Sequence, residues 1–337
     1  MSSKKILVTG GTGAIGSNLV RHLAVNDEFE HLYVLDNNSS GRIDNLLNDS
    51  RITFVQGDVG NDAVLDSIFA NGITHVYHLA ANFANQSSVD NPVKDLMTNG
   101  VGIVKILERS YKSNVQKFLY SGSSCVYKPT GEPFSETSPL LLSTPYAITK
   151  LLSEYYLTFF NKYRKLPAVG LRYFSSYGPG DYPGKFRSVI PNFIWKALNG
   201  EDLTITGNGE ETRPFTYIDD IVQGTYMAME NSPSNFVESY YTHPLNPDDN
   251  LIYNIGSEKE VRMIDLAEKI NRLCGNKSKI VFVPRRDWDV VLHRPVDASK
   301  ARRVLGYEAE TSIDEGLQKT LDWFKSDAFN KAHVHFD

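Results

Sequence analysis

The stretch that most restricts what this chain can fold into is KILVTGGTGAIG, residues 5–16. An apolar run of strand character leads into Gly10, Gly13 and Gly16, spaced G-x-x-G-x-x-G, and a helical pattern opens on the last of them. Gly10 permits a tight turn, Gly13 lets backbone approach a pyrophosphate, and Gly16 allows close helix–strand packing. Ala14 and Ile15 fall where free N–H groups and the helix dipole favour an anion. The next apolar run ends in YVLD, which puts Asp36 at a strand tip. A carboxylate there bonds both ribose hydroxyls of a dinucleotide and repels a 2′-phosphate. Asn37, not a basic residue, follows it, and Arg42 after the Ser-Ser-Gly turn reads as solvated. Strand, turn, helix and acid together predict a site for NAD rather than NADP.

Strand–helix alternation continues beyond this unit. Apolar runs at 5–8, 32–35, 52–56, 75–79, 118–121 and 168–173 read as strands, with helical patterns at 17–25, 64–70, 101–114 and 146–163. That order requires right-handed crossovers and a doubly wound parallel sheet, a Rossmann-type α/β fold. Past Arg172 the pattern loosens: 176–187 is rich in Gly, Pro and Tyr, 232–250 in Pro, Asn and Ser, and both read as loops. A helix over 261–273 and a strand over 279–283 follow. The expected organisation is a dinucleotide-binding domain over 1–175 and about 215–256, with a smaller α/β substrate-binding domain over about 176–214 and 257–327. Residues 328–337 read as a frayed tail, and its His333-Val334-His335 as a bare tail rather than a metal site.

Composition excludes other classes. Of 337 residues 41% are hydrophobic and 22% charged, and a formal charge of −5 offers no basic surface to nucleic acid. No apolar run approaches the ~20 residues that cross a bilayer, so no membrane partner is expected. The N-terminus runs straight into a strand, so no signal peptide is expected. Two cysteines, Cys125 and Cys274, are too few for a disulfide framework and fit a reducing cytoplasm.

Smaller signals fall where the same cofactor needs them. Gly57-Asp58-Val59 ends the third strand, and Asp58 suits an adenine amino group. Leu79-Ala80-Ala81 closes the fourth strand with small residues, a surface that fits beside a dinucleotide, and Asn99, which opens the helix that follows, suits the cofactor or a packed or capping role equally. The stretch STPYAITK puts Pro145 at a first helical position, with Tyr146 in the first turn and Lys150 one turn later on the same face. A phenol titrates near ~10, so it serves as a base at neutral pH only where a cation favours the phenolate.

These motifs, with SGSSCVY, LRYF before YGPG, RPFTYIDD and YNIG, occur in one order that covers nearly the whole chain. The set resembles the extended short-chain dehydrogenase/reductase family, and within it the nucleotide-sugar epimerases typified by UDP-galactose 4-epimerase. The resemblance implies NAD held tightly by the first domain and a nucleoside-diphosphate sugar, a UDP-sugar foremost, held by the second. By the same resemblance, Tyr146 takes the proton of the sugar 4-hydroxyl. Lys150 bonds the nicotinamide ribose and, with the cationic ring, depresses the tyrosine pKa. Ser123, or Ser124 if the strand end shifts, bonds the same sugar oxygen. Tyr173 joins the cofactor set. Arg213 and Arg286 grip the diphosphate by their guanidinium forks. Asn192 lines the nucleotide pocket, while Ser175 and Asp289 complete the substrate set.

The residues after Ser123 discriminate among relatives. The 4,6-dehydratases carry Asp-Glu there and the sugar-nucleotide decarboxylases a glutamate at the second place; Ser124 and Cys125 supply no carboxyl group for work at C5 or C6. Cys125 itself reads as a small packing residue. The expected reaction is 4-epimerisation of a UDP-hexose, or its N-acetyl or uronate form. Two departures from the family pattern bear on the sugar. Ser175 stands where most relatives carry the asparagine of R-Y-F-N, which leaves a CDP- or dTDP-sugar epimerase or reductase as the alternative. In RRDWDVVLHRPVD, 285–297, the family's R-x-x-D fits Arg286 and Asp289, but the extra length before Asp297 brings His293 or Arg294 within reach of the sugar. An arginine there suits an acidic sugar. A non-catalytic dinucleotide sensor is the alternative of another class; such relatives typically lose the tyrosine or the lysine, and both are present. Leu151, Leu152, Tyr155, Tyr156, Phe159 and Phe160 exceed what one helix face needs for its own core, which with the family's helix pairing predicts a homodimer.

Overall fold

The computed structural model describes residues 4–83, 85–233, 251–285, 289 and 291–330. Its frame is a seven-stranded sheet. The strands are β1 (Lys5–Thr9), β2 (His31–Asp36), β3 (Ile52–Gln56), β4 (His75–His78), β5 (Lys117–Ser123), β6 (Ala168–Tyr173) and the later strand Ile252–Ile255. They lie in the order Ile252–Ile255, β6, β5, β4, β1, β2, β3, and every pairing is parallel. Such a sheet is covered on both faces, so its inner strands carry apolar runs without alternation; β6 is buried along its whole length. The doubly wound sheet expected from the alternation is present. Chain direction across the sheet reverses between β1 and β4, and in open α/β sheets the ligand crevice forms outside the carboxyl ends at that switch point.

Local chemistry sets the helices. Helix α1 (Ala14–Asn26) opens on Gly13, and α2 (Asp62–Phe69) is capped by Asn61, whose side chain accepts from the Val64 amide. The long helix Pro145–Arg164 starts with Pro145 behind Thr144, whose Oγ1 accepts from Ala147 N at 3.2 Å, and ends at Lys165 in the left-handed region. Arg172 on β6 and Glu154 on this helix form a buried bidentate pair at 2.9 and 2.7 Å, which fixes the helix on the sheet. The helix expected over 101–114 is instead a π-turn, Leu96–Val101, followed by α-helix Gly102–Lys112. The turn admits close approach: a Cβ on Gly102 would lie 2.8 Å from Val59 Cγ2.

Over the carboxyl edge sit the helices Val189–Asn199 and Met263–Leu273 and the parallel pair Leu203–Thr206 with Ile280–Val283. Their apolar faces share one core with the sheet, since Ile190, Phe193 and Leu203 belong to the same cluster as Ile6 and Val8. The tail starts later than expected. Asp327–Asn330 is helical and Phe329 is buried, its ring stacked on Tyr182 at 5.8 Å between centroids. Burying an aromatic side chain holds that last turn against fraying. Residues 331–337, with His333 and His335, and most of the expected loop over 232–250 lie outside the described residues.

Candidate active site

The glycine turn closes β1 onto β4. Gly10 has φ 71°, donates its amide to Leu35 O at 2.8 Å, and leaves no space for a side chain: a Cβ would sit 2.6 Å from Ala80 N. A Cβ on Gly16 would overlap the Gly10 carbonyl oxygen. Gly13 holds the N-cap position of α1 without a side-chain cap, so the first amides of the helix are left for an anion. Asp36 is held at the tip of β2, with Oδ2 accepting from Thr12 N at 3.0 Å and Oδ1 from Asn38 N at 2.8 Å. Each oxygen keeps a lone-pair direction for a diol. Thr9 Oγ1 lies 2.8 Å from His78 Nδ1 and accepts from Ala80 N at 3.2 Å. Burial drives the His78 pKa down to about 3, so this tie between strand ends is neutral.

A cleft of about 1400 Å³ starts at this turn. It exceeds the ~300–1,000 Å³ usual for one small ligand, and two sizeable ligands fit its size better. Gly10, Gly13, Ala14, Ile15, Gly16 and Asp36 line one end, beside Leu79, Ala80 and Ala81. Ser123, Ser124, Tyr146, Lys150, Tyr173 and Ser175 also line it, as do Asn192, Arg213, Asp289 and Arg294.

Other expected contacts are used differently. Asn37, Asp58, Val59 and Asn99 do not line the cleft. Asn37 Nδ2 donates to Asp58 Oδ2 at 2.8 Å, and Asp58 Oδ1 accepts from Gly60 N at 2.7 Å, so the two brace each other on the surface. Val59 is buried in the core, and Asn99 is buried with its Oδ1 accepting from Asn82 N at 2.7 Å, fastening the segment after β4. Asn192 faces the cleft, but its amide clamps the loop before it: Oδ1 accepts from Gly184 N at 2.8 Å and Nδ2 donates to Gly184 O and Ser188 O. The Tyr173 hydroxyl lies 2.7 Å from Thr225 Oγ1 and is engaged there. Arg286 lies outside the described residues. Of His293 and Arg294, it is Arg294 that enters the cleft, while His293 Nδ1 stays at the surface 2.9 Å from Thr212 Oγ1.

Tyr146, Lys150 and Ser123 meet where β5 ends against the long helix. Tyr146 is fixed by its amide, which donates to Ser88 Oγ at 3.0 Å, and Ser123 Oγ accepts from Cys125 N at 3.3 Å. Lys150 Nζ donates to Ser121 O at 2.7 Å and lies 5.5 Å from the centre of the Tyr146 ring. The protein alone does not depress the tyrosine pKa as expected. Burial pushes the phenol well above its ordinary range, Cys125 and Asp95 add to the rise, and the Ser123 hydroxyl opposes it. Burial also lowers Lys150 to about 8. In a site this dry, desolvation outweighs the mutual help of phenolate and ammonium, so a further positive charge is needed to poise the pair.

Sequence reading missed one part of the cleft. The segment over 176–187, read only as a loop, contributes Asp181, Lys185 and Arg187 to the lining. It straps the cofactor-facing end: Asn18 Nδ2 donates to Pro179 O at 2.8 Å, Tyr182 donates to Asn45 Oδ1 at 2.8 Å, and Arg187 reaches Ser40 O. Arg42, read as solvated, places its guanidinium 4.9 Å from the centre of the Tyr182 ring. Two basic residues inside a Gly- and Pro-rich segment were the available signal. Burial raises Asp181 to about 6.

Comparison with known proteins agrees with this geometry. The model of the NAD dependent epimerase/dehydratase family matches residues 6–256. An epimerase of the methanogen Methanothermobacter thermautotrophicus is 42% identical, with 96% of this chain and 92% of that one covered and a TM-score of 0.87. The UDP-glucose 4-epimerase of Thermotoga maritima, solved with UDP-glucose, is 32% identical over 95% of this chain and 98% of its own, with a TM-score of 0.86. A UDP-N-acetyl-alpha-D-glucosaminuronate decarboxylase of Bacillus cytotoxicus is 30% identical over 342 residues, covering 96% of this chain and 98% of its own.

Proposed function

Because the chain belongs to the NAD-dependent epimerase/dehydratase family, we propose that it is an NAD-dependent epimerase of a nucleoside-diphosphate sugar, acting at C4 of a UDP-hexose or its N-acetyl or uronate form. The observation that carries the reading is the end of β5. Ser124 and Cys125 follow Ser123 there, and the Cys125 thiol is held neutral by burial. Neither group serves as the acid or base that dehydration or decarboxylation requires at C5 or C6. Tyr146 and Ser123 supply what epimerisation requires.

The residues present fit NAD: an uncapped helix start for the pyrophosphate, no side chain at Gly13 to obstruct it, and Asp36 for the ribose diol. Bound, NAD supplies the reversible two-electron oxidation of the sugar carbon and a positive charge against the phenol. Tyr146 takes the proton from the 4-hydroxyl and returns it after the sugar has presented its other face. Ser123 bonds the same oxygen, and Lys150 holds the cofactor ribose and, together with the cationic ring, lowers the tyrosine pKa. Arg213 anchors the diphosphate while the sugar turns. Its Nη1 is committed to Thr212 O and Leu292 O at 2.8 and 2.9 Å, and Nη2 lies 3.7 Å from Asp289, which leaves a positioned cation at the cleft wall. The test is to incubate the purified protein, with no dinucleotide added, with UDP-sugars. Interconversion of C4 epimers and NAD in the acid extract are expected; NADP in the extract, or dehydrated or decarboxylated product, counts against the reading.

A homodimer belongs to the same proposal. The long helix buries Leu151 and Phe160 but leaves Ile148, Tyr155, Tyr156, Phe159 and Tyr163 exposed, and Leu96 and Met97 are exposed beside it. A contiguous apolar face of this kind suits a two-fold helix pairing. Light scattering at micromolar concentration should give twice the chain mass, and a monomer mass would refute it.

A further inference from the structure

We propose that Arg294 reads a negative group on the sugar, so that the substrate is a nucleoside-diphosphate uronic acid rather than a neutral hexose. The inference rests on the cleft being a nucleotide-sugar site and selects among the sugars that site admits.

Three observations place Arg294 at the reacting end. Its side chain lines the cleft. Its backbone is bound to the segment that continues from Ser123: the next carbonyl, of Pro295, accepts from Phe134 N at 2.8 Å, and Phe134 and Val296 bridge in parallel. The charged and titratable groups that face it are Cys125, Asp289 and Arg213, with Cys125 foremost. Arg294 therefore shares the cleft with Ser123 and Tyr146 and is near both Cys125, two residues past Ser123, and Arg213.

Its bonding is also incomplete. The backbone amide is satisfied by Glu260 Oε1 at 3.0 Å, but the guanidinium Nε is buried with no hydrogen-bond partner among the described residues. The other arginines of the cleft lining are engaged: Arg213 by two carbonyls and Arg187 by Ser40 O. Leaving a buried guanidinium nitrogen unpaired is costly, so a ligand anion is the natural complement. In a hexopyranose, C6 hangs from C5, next to C4. A carboxylate at C6 thus falls beside the group that handles the 4-hydroxyl, and its two oxygens match the planar fork of arginine. A 6-hydroxyl offers one acceptor and no charge.

The test compares UDP-glucuronate and UDP-galacturonate with UDP-glucose and UDP-galactose on the NAD-loaded protein, in turnover and in equilibrium binding. Wild type should favour the acids. Arg294→Gln should weaken the acids about 10–100-fold more than the neutral sugars, the usual cost of a charge-assisted bond, and Arg294→Lys should keep part of the preference. Equal weakening of acid and neutral sugars would assign Arg294 to the diphosphate and overturn the proposal. So would a wild type without preference for the acids, a result that does not depend on any variant folding. Acid preference in binding without inversion at C4 would uphold Arg294 and overturn the epimerase reading instead.

Discussion

At the cofactor-facing end of the cleft, Asp36 is already gripped by two backbone amides, Gly10 by a carbonyl, and the overlying strap by Asn18, Asn45 and Ser40. At the sugar-facing end, Lys150 is buried with its pKa near 8, the Tyr146 phenol is pushed up, and Arg294 holds a buried nitrogen without a partner among the described residues. One end is preorganised by backbone and costs the fold little. The other stores unfavourable burial that a ligand relieves, as sites with perturbed titration do. In the proposed reading the first end binds, and the second reacts and selects.

That contrast breaks most sharply at the tyrosine. Tyr146→Phe should lower turnover by at least the ~10²–10⁴-fold typical of a lost acid–base group, while the NAD recovered on acid extraction stays near the wild-type amount. Loss of the cofactor together with activity would mean that the two ends are not separable.

A smaller effect of opposite sign is expected at the lysine. Lys150 is buried and its folded pKa is lowered to about 8 from an unfolded value near 10.5. Below pH 8 both states carry the proton, and the cost of burying it is fully present. Between pH 8 and 10.5 only the unfolded state binds it, so stability rises with pH across that window. Lys150→Met should thus raise unfolding stability at pH 7, by at most about 3 kcal/mol, and lose that advantage by pH 10.5. Denaturation curves of the cofactor-free protein at several pH values measure it, and a destabilised variant at pH 7 would show that the lysine is not strained.

The same contrast explains what was legible in the sequence. The turn from Gly10 to Gly16 and Asp36 belong to one strand–turn–helix–strand unit, so residue type and spacing disclose the geometry. Tyr146 and Lys150 share one helix face and could be read for the same reason. The sugar end is gathered from Ser123, Ser175, Arg213 and the stretch holding Asp289 and Arg294, four segments far apart in the chain, and no local period reports their meeting. Polar residues expected at either end also divide between contact and scaffold in ways spacing does not reveal. Asn192 spends its amide on the loop at Gly184, Asn99 on Asn82, and Asp58 on Asn37 and Gly60. Ser175 holds φ 36°, a left-handed backbone position that asparagine tolerates better than serine, and residue type alone does not disclose it.

The central claim is that one carbon is oxidised and reduced again within a closed site, with Tyr146 handling the hydroxyl proton and no carbon acid at C5 involved. Running the reaction in D₂O and reading the product by NMR tests it most directly. The account predicts sugar inverted at C4 with no deuterium bound to carbon, since the hydrogen taken from C4 is the one returned. Deuterium at C5 or C6, or inversion at another carbon, would contradict it.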